Sequence, residues 1–295
     1  MPNFNLQYFN QRLSNTLIGT ILLILTYLFF SVMELTAKEL ALRFNPFLIV
    51  FARYLSQLIL LLIIFNKQFK THLKSNHKPL QILRGALLMI TTCFMFTGLA
   101  YLQFAENISI YMIGPVITTI LAILILKEKI SFTQILVVII GLIGALIIAS
   151  PNKGAFNYAV IFPFLAALCF AFFTISTKFL NTSDSNQTTL LFTAITGTIL
   201  SLPFIIYFWK WPNLNDAILM FCLGFLATAG HFLFIEALKV INASFAAPFV
   251  YLTVLLAAFW GYILYNEVPS QNTFIGAFLI ITSGFIITRF KKKIH

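Results

Sequence analysis

Ionisable side chains inside apolar runs are where chemistry would sit in this sequence. A charge at the centre of a bilayer costs about 2.5–3.5 kcal/mol even on lenient scales. Glu34 and Lys38 stand four residues apart, the favourable order for a pair on one helix face. Arg53 interrupts the run Phe44–Asn66 at a depth similar to that of Glu34. The readings are an ion pair locking two helices, a substrate or gating site, or snorkelling of these side chains to the lipid interface. His231 is the only histidine within an apolar run, in the inner half of its helix. An imidazole with its ordinary pKa of about 6.5 suits a proton-coupled step or simple packing between helices. Glu236 and Lys239 read as a helix-end salt bridge. Tyr101, Tyr251 and Trp260 carry polar tips that need partners when buried, and ring faces that suit a cationic ligand. Pro115 and Pro248 free backbone carbonyls inside apolar runs, as kinks or as flexible points beside a substrate cavity.

Enzyme chemistry has no foothold in this inventory. There is no paired-carboxylate site, no cluster with metal-ligand spacing and no glycine-rich phosphate loop, so neither a cofactor nor a metal is expected. An ATP-driven pump is excluded for the same reason. Cys93, Cys169 and Cys222 lie in separate runs and read as small packing residues.

The elements that position these residues follow from hydropathy. Of 295 residues, 60% are apolar and 9% charged, with mean hydropathy +0.95. Soluble chains are about 25% charged, so the lipid bilayer is this chain's solvent. Charge-free runs of membrane-crossing length recur at Leu13–Met33, Gly85–Ala105, Asn107–Leu126, Ile130–Asn152 and Gly154–Thr177. They continue at Ser185–Trp209, Ala217–Ile235, Val240–Asn266 and Val268–Thr288, and Phe44–Asn66 makes a tenth. About 20 residues suffice to cross the hydrocarbon. Barrel strands alternate polar and apolar over about 10 residues, which these runs do not. The expectation is an all-α membrane protein with ten transmembrane helices, the first retained rather than cleaved as a signal peptide.

Lysine and arginine orient the bundle, because the cytoplasmic side carries the excess. Arg12, Lys67, Lys70, Lys74, Lys78, Arg84, Lys127, Lys129, Lys178, Lys239, Arg289, Lys291, Lys292 and Lys293 fall on one side, fourteen in all. Lys38, Arg43, Lys153 and Lys210 make four on the other. Both termini are therefore expected in the cytoplasm. This asymmetry accounts for the net charge of +11, and no nucleic-acid partner is inferred from it.

The sequence is also one unit written twice. Thr36-Ala37-Lys38 matches Ser176-Thr177-Lys178, and Leu126-Lys127-Glu128 matches Tyr265-Asn266-Glu267, at offsets of 140 and 139 residues. The expected units are residues 1–150 and 151–295. A unit of five spans starts and ends on opposite sides, so its copy enters the membrane inverted. Inverted-topology repeats are a recurring build of secondary transporters. A channel, the rival class, would normally show a filter sequence or a ring of like charges.

These residues resemble the drug/metabolite transporter superfamily in its EamA-domain branch. The likeness rests on Arg53, on Leu83-Arg84-Gly85, on Ala100-Tyr101-Leu102, on Ala105-Glu106, and on Glu128 and Glu267 with Gly144 and Gly284 following. Ala247-Pro248-Phe249 with Tyr251, and Asn266-Glu267-Val268-Pro269, are similar to S-adenosylmethionine uptake transporters of intracellular bacteria. The inverted symmetry places a cavity near the midplane; the resemblance lines it with spans 1, 3, 4, 6, 8 and 9, and implies a small polar metabolite as substrate and a bacterial inner membrane. It makes Arg84, Glu128 and Glu267 structural signature positions. An exporter of amino acids or drugs is the alternative within the same superfamily. The coupling ion or exchanged metabolite is left open.

Overall fold

The computed structural model describes residues 6–102, 104–149, 158–265 and 271–290, and among these every regular element is helical. The first half contains α1 (Leu6–Ala41), α2 (Pro46–Phe65), α3 (Phe69–His72), α4 (Lys78–Tyr101), α5 (Phe104–Tyr111), α6 (Gly114–Leu124) and α7 (Phe132–Ala149). The second contains α8 (Ile161–Leu180), α9 (Asn186–Phe208), α10 (Leu214–Val240), α11 (Ala243–Ala246), α12 (Leu252–Tyr265) and α13 (Gln271–Phe290). Seven stretches are long and apolar enough to cross a membrane: Asn15–Ala41, Pro46–Phe65, Lys78–Gly98, Tyr158–Leu180, Asn186–Phe208, Leu214–Val240 and Ala243–Leu264. Three shorter apolar helices, Gly114–Leu124, Phe132–Ile147 and Phe274–Ser283, stand where the fourth, fifth and tenth spans were expected.

Local chemistry sets the ends. Asn45 caps α2 by accepting a 3.0 Å bond from the Phe47 amide, with Pro46 opening the helix. Ser185 accepts from the Thr188 amide at 3.2 Å at the head of α9, and Asn213 from that of Asp216 at 2.8 Å for α10. At the other end of α10, the Lys178 ammonium donates 2.6 Å bonds to the carbonyls of Leu238 and Ile241, which helix geometry leaves without partners. Hydroxyls inside the bundle bond back one turn, as Thr92 does to the Leu88 carbonyl at 2.9 Å and Thr193 to that of Thr189 at 2.7 Å.

The expected fourth span is short because the chain breaks within it. Leu102 is extended, at φ −115° and ψ 154°, and α5 ends at Tyr111 before α6 begins at Gly114. Pro115 lies in the first turn of α6, where it has no N–H to offer the Tyr111 carbonyl and its fixed φ suits a helix start. The equivalent span in the second half is broken too, by the 3₁₀ segment Ala247–Tyr251 between α11 and α12, with Pro248 in its first turn. The two prolines differ in register, yet each marks a break.

Packing follows the internal repeat. At an offset of 139–140 residues, α1 corresponds to α8, α2 to α9, α4 to α10 and α7 to α13. α1 packs on α10 and α8 on α4; α2 packs on α10 and α9 on α4; α2 meets α9, and α7 meets α13. Each interface thus maps onto another or onto itself. Glycines make the matching approaches possible. A Cβ at Gly85 would lie 2.8 Å from the Thr196 Cβ, and one at Gly224 would lie 2.5 Å from the Gln57 amide nitrogen and the Ser56 Cβ. Gly85 and Gly224, like Ser56 and Thr196, are repeat partners.

Arg84, counted with the basic side at the start of its helix, turns into the bundle. It is fully buried in α4, donating to the hydroxyls of Thr177 at 2.7 Å and Thr193 at 2.5 Å. Thirteen lysines and arginines then remain on the more basic side. Lys153, Glu267 and Lys291 to Lys293 lie outside the described residues.

Candidate functional site

One chamber opens between the halves, and it gathers Glu34, Arg53 and His231. Tyr27, Phe30 and Glu34 from α1 project into it, at spacings of three and four residues that place them on one helix face. Arg53 enters from α2, Thr91, Thr92 and Phe96 from α4, Tyr111 from α5, Phe170 from α8 and His231 from α10. Val250 and Thr253 close it from the broken segment and α12. All six spans implied by the resemblance contribute, and α2 is added through Arg53. Space open to water inside the chamber is about 80 Å³.

Arg53 is the centre of this wall. It is 1% exposed, and its Nη2 donates to His231 Nε2 at 2.9 Å. Its Nη1 reaches the Thr92 hydroxyl at 3.4 Å, and the guanidinium lies 4.5 Å from the Tyr54 ring centre. Because a guanidinium can only donate, Nε2 must accept, which puts the imidazole proton on Nδ1. Phe30 and Phe173 hold the imidazole, with ring centres 4.8 and 5.7 Å away. Behind Phe173, the Arg84 guanidinium sits 4.3 Å from the same ring's centre.

Sequence expectations resolve unevenly against this geometry. Glu34 and Arg53 share the chamber, but no ion pair joins them; among the described residues Glu34 has neither hydrogen bond nor salt bridge. His231, placed at a different depth by its position in the run, meets Arg53 directly. Tyr101 is 67% exposed at the end of α4, beside Phe162, and does not line the chamber. Tyr251 is fully buried and spends its hydroxyl on the Val138 carbonyl at 3.0 Å. Trp260 Nε1 donates to the Ser31 hydroxyl at 3.2 Å, tying α12 to α1. Pro115 and Pro248 stand at the two helix breaks rather than on the chamber surface.

Other acids brace the frame. Glu128 accepts from the amides of Ala243 at 3.0 Å and Ser244 at 3.1 Å and from the Ser244 hydroxyl at 2.5 Å, joining the loop after α6 to the head of α11. Its repeat partner Glu267 lies outside the described residues. Glu236 pairs with Lys239 at 3.4 Å and is also bonded to Asn186. Tyr27, Tyr111 and Thr91 were not singled out from the sequence. The signal available was the seven-residue spacing of Tyr27 and Glu34, two turns on one face of α1.

Known proteins give this arrangement a context. The EamA-like transporter family matches the chain twice, over residues 17–150 and 157–289. The S-adenosylmethionine uptake transporter of Rickettsia bellii (strain RML369-C) is 30% identical over 284 residues, covering 96% of this chain and 98% of that protein. The protein of the same description from Rickettsia prowazekii (strain Madrid E) is 28% identical over 284 residues, 96% of this chain and 97% of that one. A solved crystal structure matches with a TM-score of 0.80 at 16% identity, over 95% of this chain and 98% of its own, a likeness of fold.

Proposed function

We propose that this chain, which belongs to the EamA-like transporter family, is a secondary transporter that takes up S-adenosylmethionine by alternating access. The observation carrying this reading is the chamber that holds one acid, one guanidinium and several aromatic faces together. S-adenosylmethionine offers a sulfonium, an ammonium, a carboxylate and an adenine. Glu34 complements the ammonium and Arg53 the carboxylate. The rings of Tyr27, Phe30, Phe96 and Tyr111 suit the adenine and the sulfonium. Pockets for ligands of this class measure about 300–1,000 Å³, so the chamber of about 80 Å³ must widen before substrate enters. Widening would use the breaks at Gly114-Pro115 and Ala247–Tyr251, which flank it.

Alternating access rests on ten spans arranged as two inverted halves, residues 1–150 and 151–295, with both termini cytoplasmic in a bacterial inner membrane. The repeat-related helix contacts and the matched glycines Gly85 and Gly224 support that arrangement. Exchanging the conformations of the halves then exchanges the open side. Labelled S-adenosylmethionine should accumulate in expressing cells above vector background and be displaced by excess unlabelled compound. No accumulation despite confirmed expression removes this substrate.

Orientation has its own test. In a background lacking Cys93, Cys169 and Cys222, single cysteines replace Asn76, exposed before α4, and Asn152, outside the described residues. An impermeant thiol reagent on intact cells should label Asn152→Cys and spare Asn76→Cys. Reverse labelling overturns the orientation.

A further inference from the structure

Two guanidiniums are buried in this bundle, and among the described residues no carboxylate bonds to either. Arg53 bonds to His231 and Thr92, and Arg84 to Thr177 and Thr193. Four of the described acids are engaged elsewhere: Glu128 with Ala243 and Ser244, Asp184 with Ser75 and Gln81, Asp216 with Arg43, Glu236 with Lys239. Three buried N–H groups of this cluster have no acceptor among the described residues, namely Arg53 Nε, Arg84 Nη2 and, in the tautomer that Arg53 imposes, His231 Nδ1. All three are donors. Arg53 and His231 line the chamber, and Arg84 adds its charge from behind Phe173. Two guanidiniums thus stand at or behind the chamber wall against the single acid that lines it, Glu34. Buried polar groups of native structures find partners, and an unpaired buried charge is strongly unfavourable. One monovalent anion at the chamber wall would partner the Arg53 and His231 donors and offset the nearby positive charge.

We propose that the Arg53–His231 wall is a small-anion site that holds a halide, chloride in the cell, until a substrate carboxylate replaces it. Size agrees with this. The chamber's space open to water, about 80 Å³, is ample for a hydrated halide. The inference concerns the chamber assigned to substrate above, but its central measurement does not depend on the substrate's identity.

The test uses the purified full chain in detergent, in sodium gluconate, with bromide exchanged in at constant ionic strength. The unfolding midpoint should rise with bromide and level off. In Arg53→Gln that rise should vanish, and in gluconate this variant should melt no lower than wild type, because an unpaired charge is gone. A wild-type midpoint indifferent to bromide, or an unchanged rise in Arg53→Gln, overturns the proposal. Should the variant fail to fold, anomalous scattering from wild-type crystals grown in bromide decides. A peak within hydrogen-bond distance of Arg53 Nε or His231 Nδ1 supports the site, and none there ends it. The source of the anion is separated in gluconate by comparing S-adenosylmethionine with its decarboxylated analogue. A larger shift from the carboxylate form, shrinking as bromide is added, supports one shared position. Equal shifts overturn the sharing and leave a halide site alone. No shift from either compound counts against the proposed substrate while the bromide result stands by itself.

Discussion

Arg53→Gln should reduce initial uptake by about 30-fold or more while the protein still folds and reaches the membrane. The side chain is 1% exposed and bonded to His231 at 2.9 Å in the chamber wall. Removing a buried charge that meets a ligand carboxylate typically costs about 2–5 kcal/mol, and each 1.4 kcal/mol is tenfold. Stability should respond differently, because no carboxylate is orphaned by the change. Glu34→Gln isolates the other charge. Had Glu34 and Arg53 formed a pair, this substitution would strand a buried guanidinium and destabilise the bundle. With no bond between them, melting should stay near wild type while uptake falls. Uptake normalised to protein in the membrane, beside a thermal melt of the same preparations, checks both variants. Near-wild-type uptake by Arg53→Gln would exclude it from substrate handling. Destabilised Glu34→Gln would mean that the acid braces the bundle instead.

Much of the architecture was legible because a bilayer imposes simple rules. Runs of apolar residues mark helices, and the repeat of Thr36-Ala37-Lys38 as Ser176-Thr177-Lys178 anticipates that α8 packs on α4 as α1 packs on α10. Charge rarity led to Glu34, Arg53 and His231, three residues that do share the chamber. Their mutual geometry was hidden. Sequence gives axial position along one helix, whereas the Arg53–His231 contact depends on how α2 and α10 lie together and on a side chain's reach. Aromatic identity was a poor guide for a related reason. Tyr251 and Trp260 are satisfied by Val138 and Ser31, partners more than 100 residues away in the chain that no local pattern reveals. Tyr27 and Tyr111 face the chamber with the same chemistry. The breaks at Pro115 and Pro248 were foreseen as flexible points, but the prolines lie at the chamber's flanks because they act on the backbone rather than through a side chain.

The repeat-related glycines at close helix approaches give the second large effect. At Gly224 an added Cβ would stand 2.5 Å from the Gln57 amide nitrogen and 2.6 Å from the Ser56 carbonyl carbon. Both are backbone atoms of α2, so no rotamer change relieves the clash. α10 itself would have to move away from α2, carrying His231 from Arg53. At Gly85, the repeat partner, the obstacle is the Thr196 side chain, 2.8 Å away at its Cβ. Overpacking typically costs about 1–3 kcal/mol, and small residues are what allow membrane helices to pack backbone to backbone. Gly224→Ala should therefore fall in the upper part of that range and Gly85→Ala in the lower part, read as loss of thermal stability in purified protein. The repair should differ as well. Thr196→Gly removes the obstructing atoms and should restore Gly85→Ala, whereas Ser56→Gly leaves the α2 backbone in place and should not restore Gly224→Ala. In folded Gly224→Ala, uptake should drop further than the loss of protein explains, because the Arg53–His231 contact is opened. Equal tolerance of alanine at both positions, or rescue of Gly224→Ala by Ser56→Gly, would show that α2 and α10 are not held at backbone contact and that the chamber wall is set by something else.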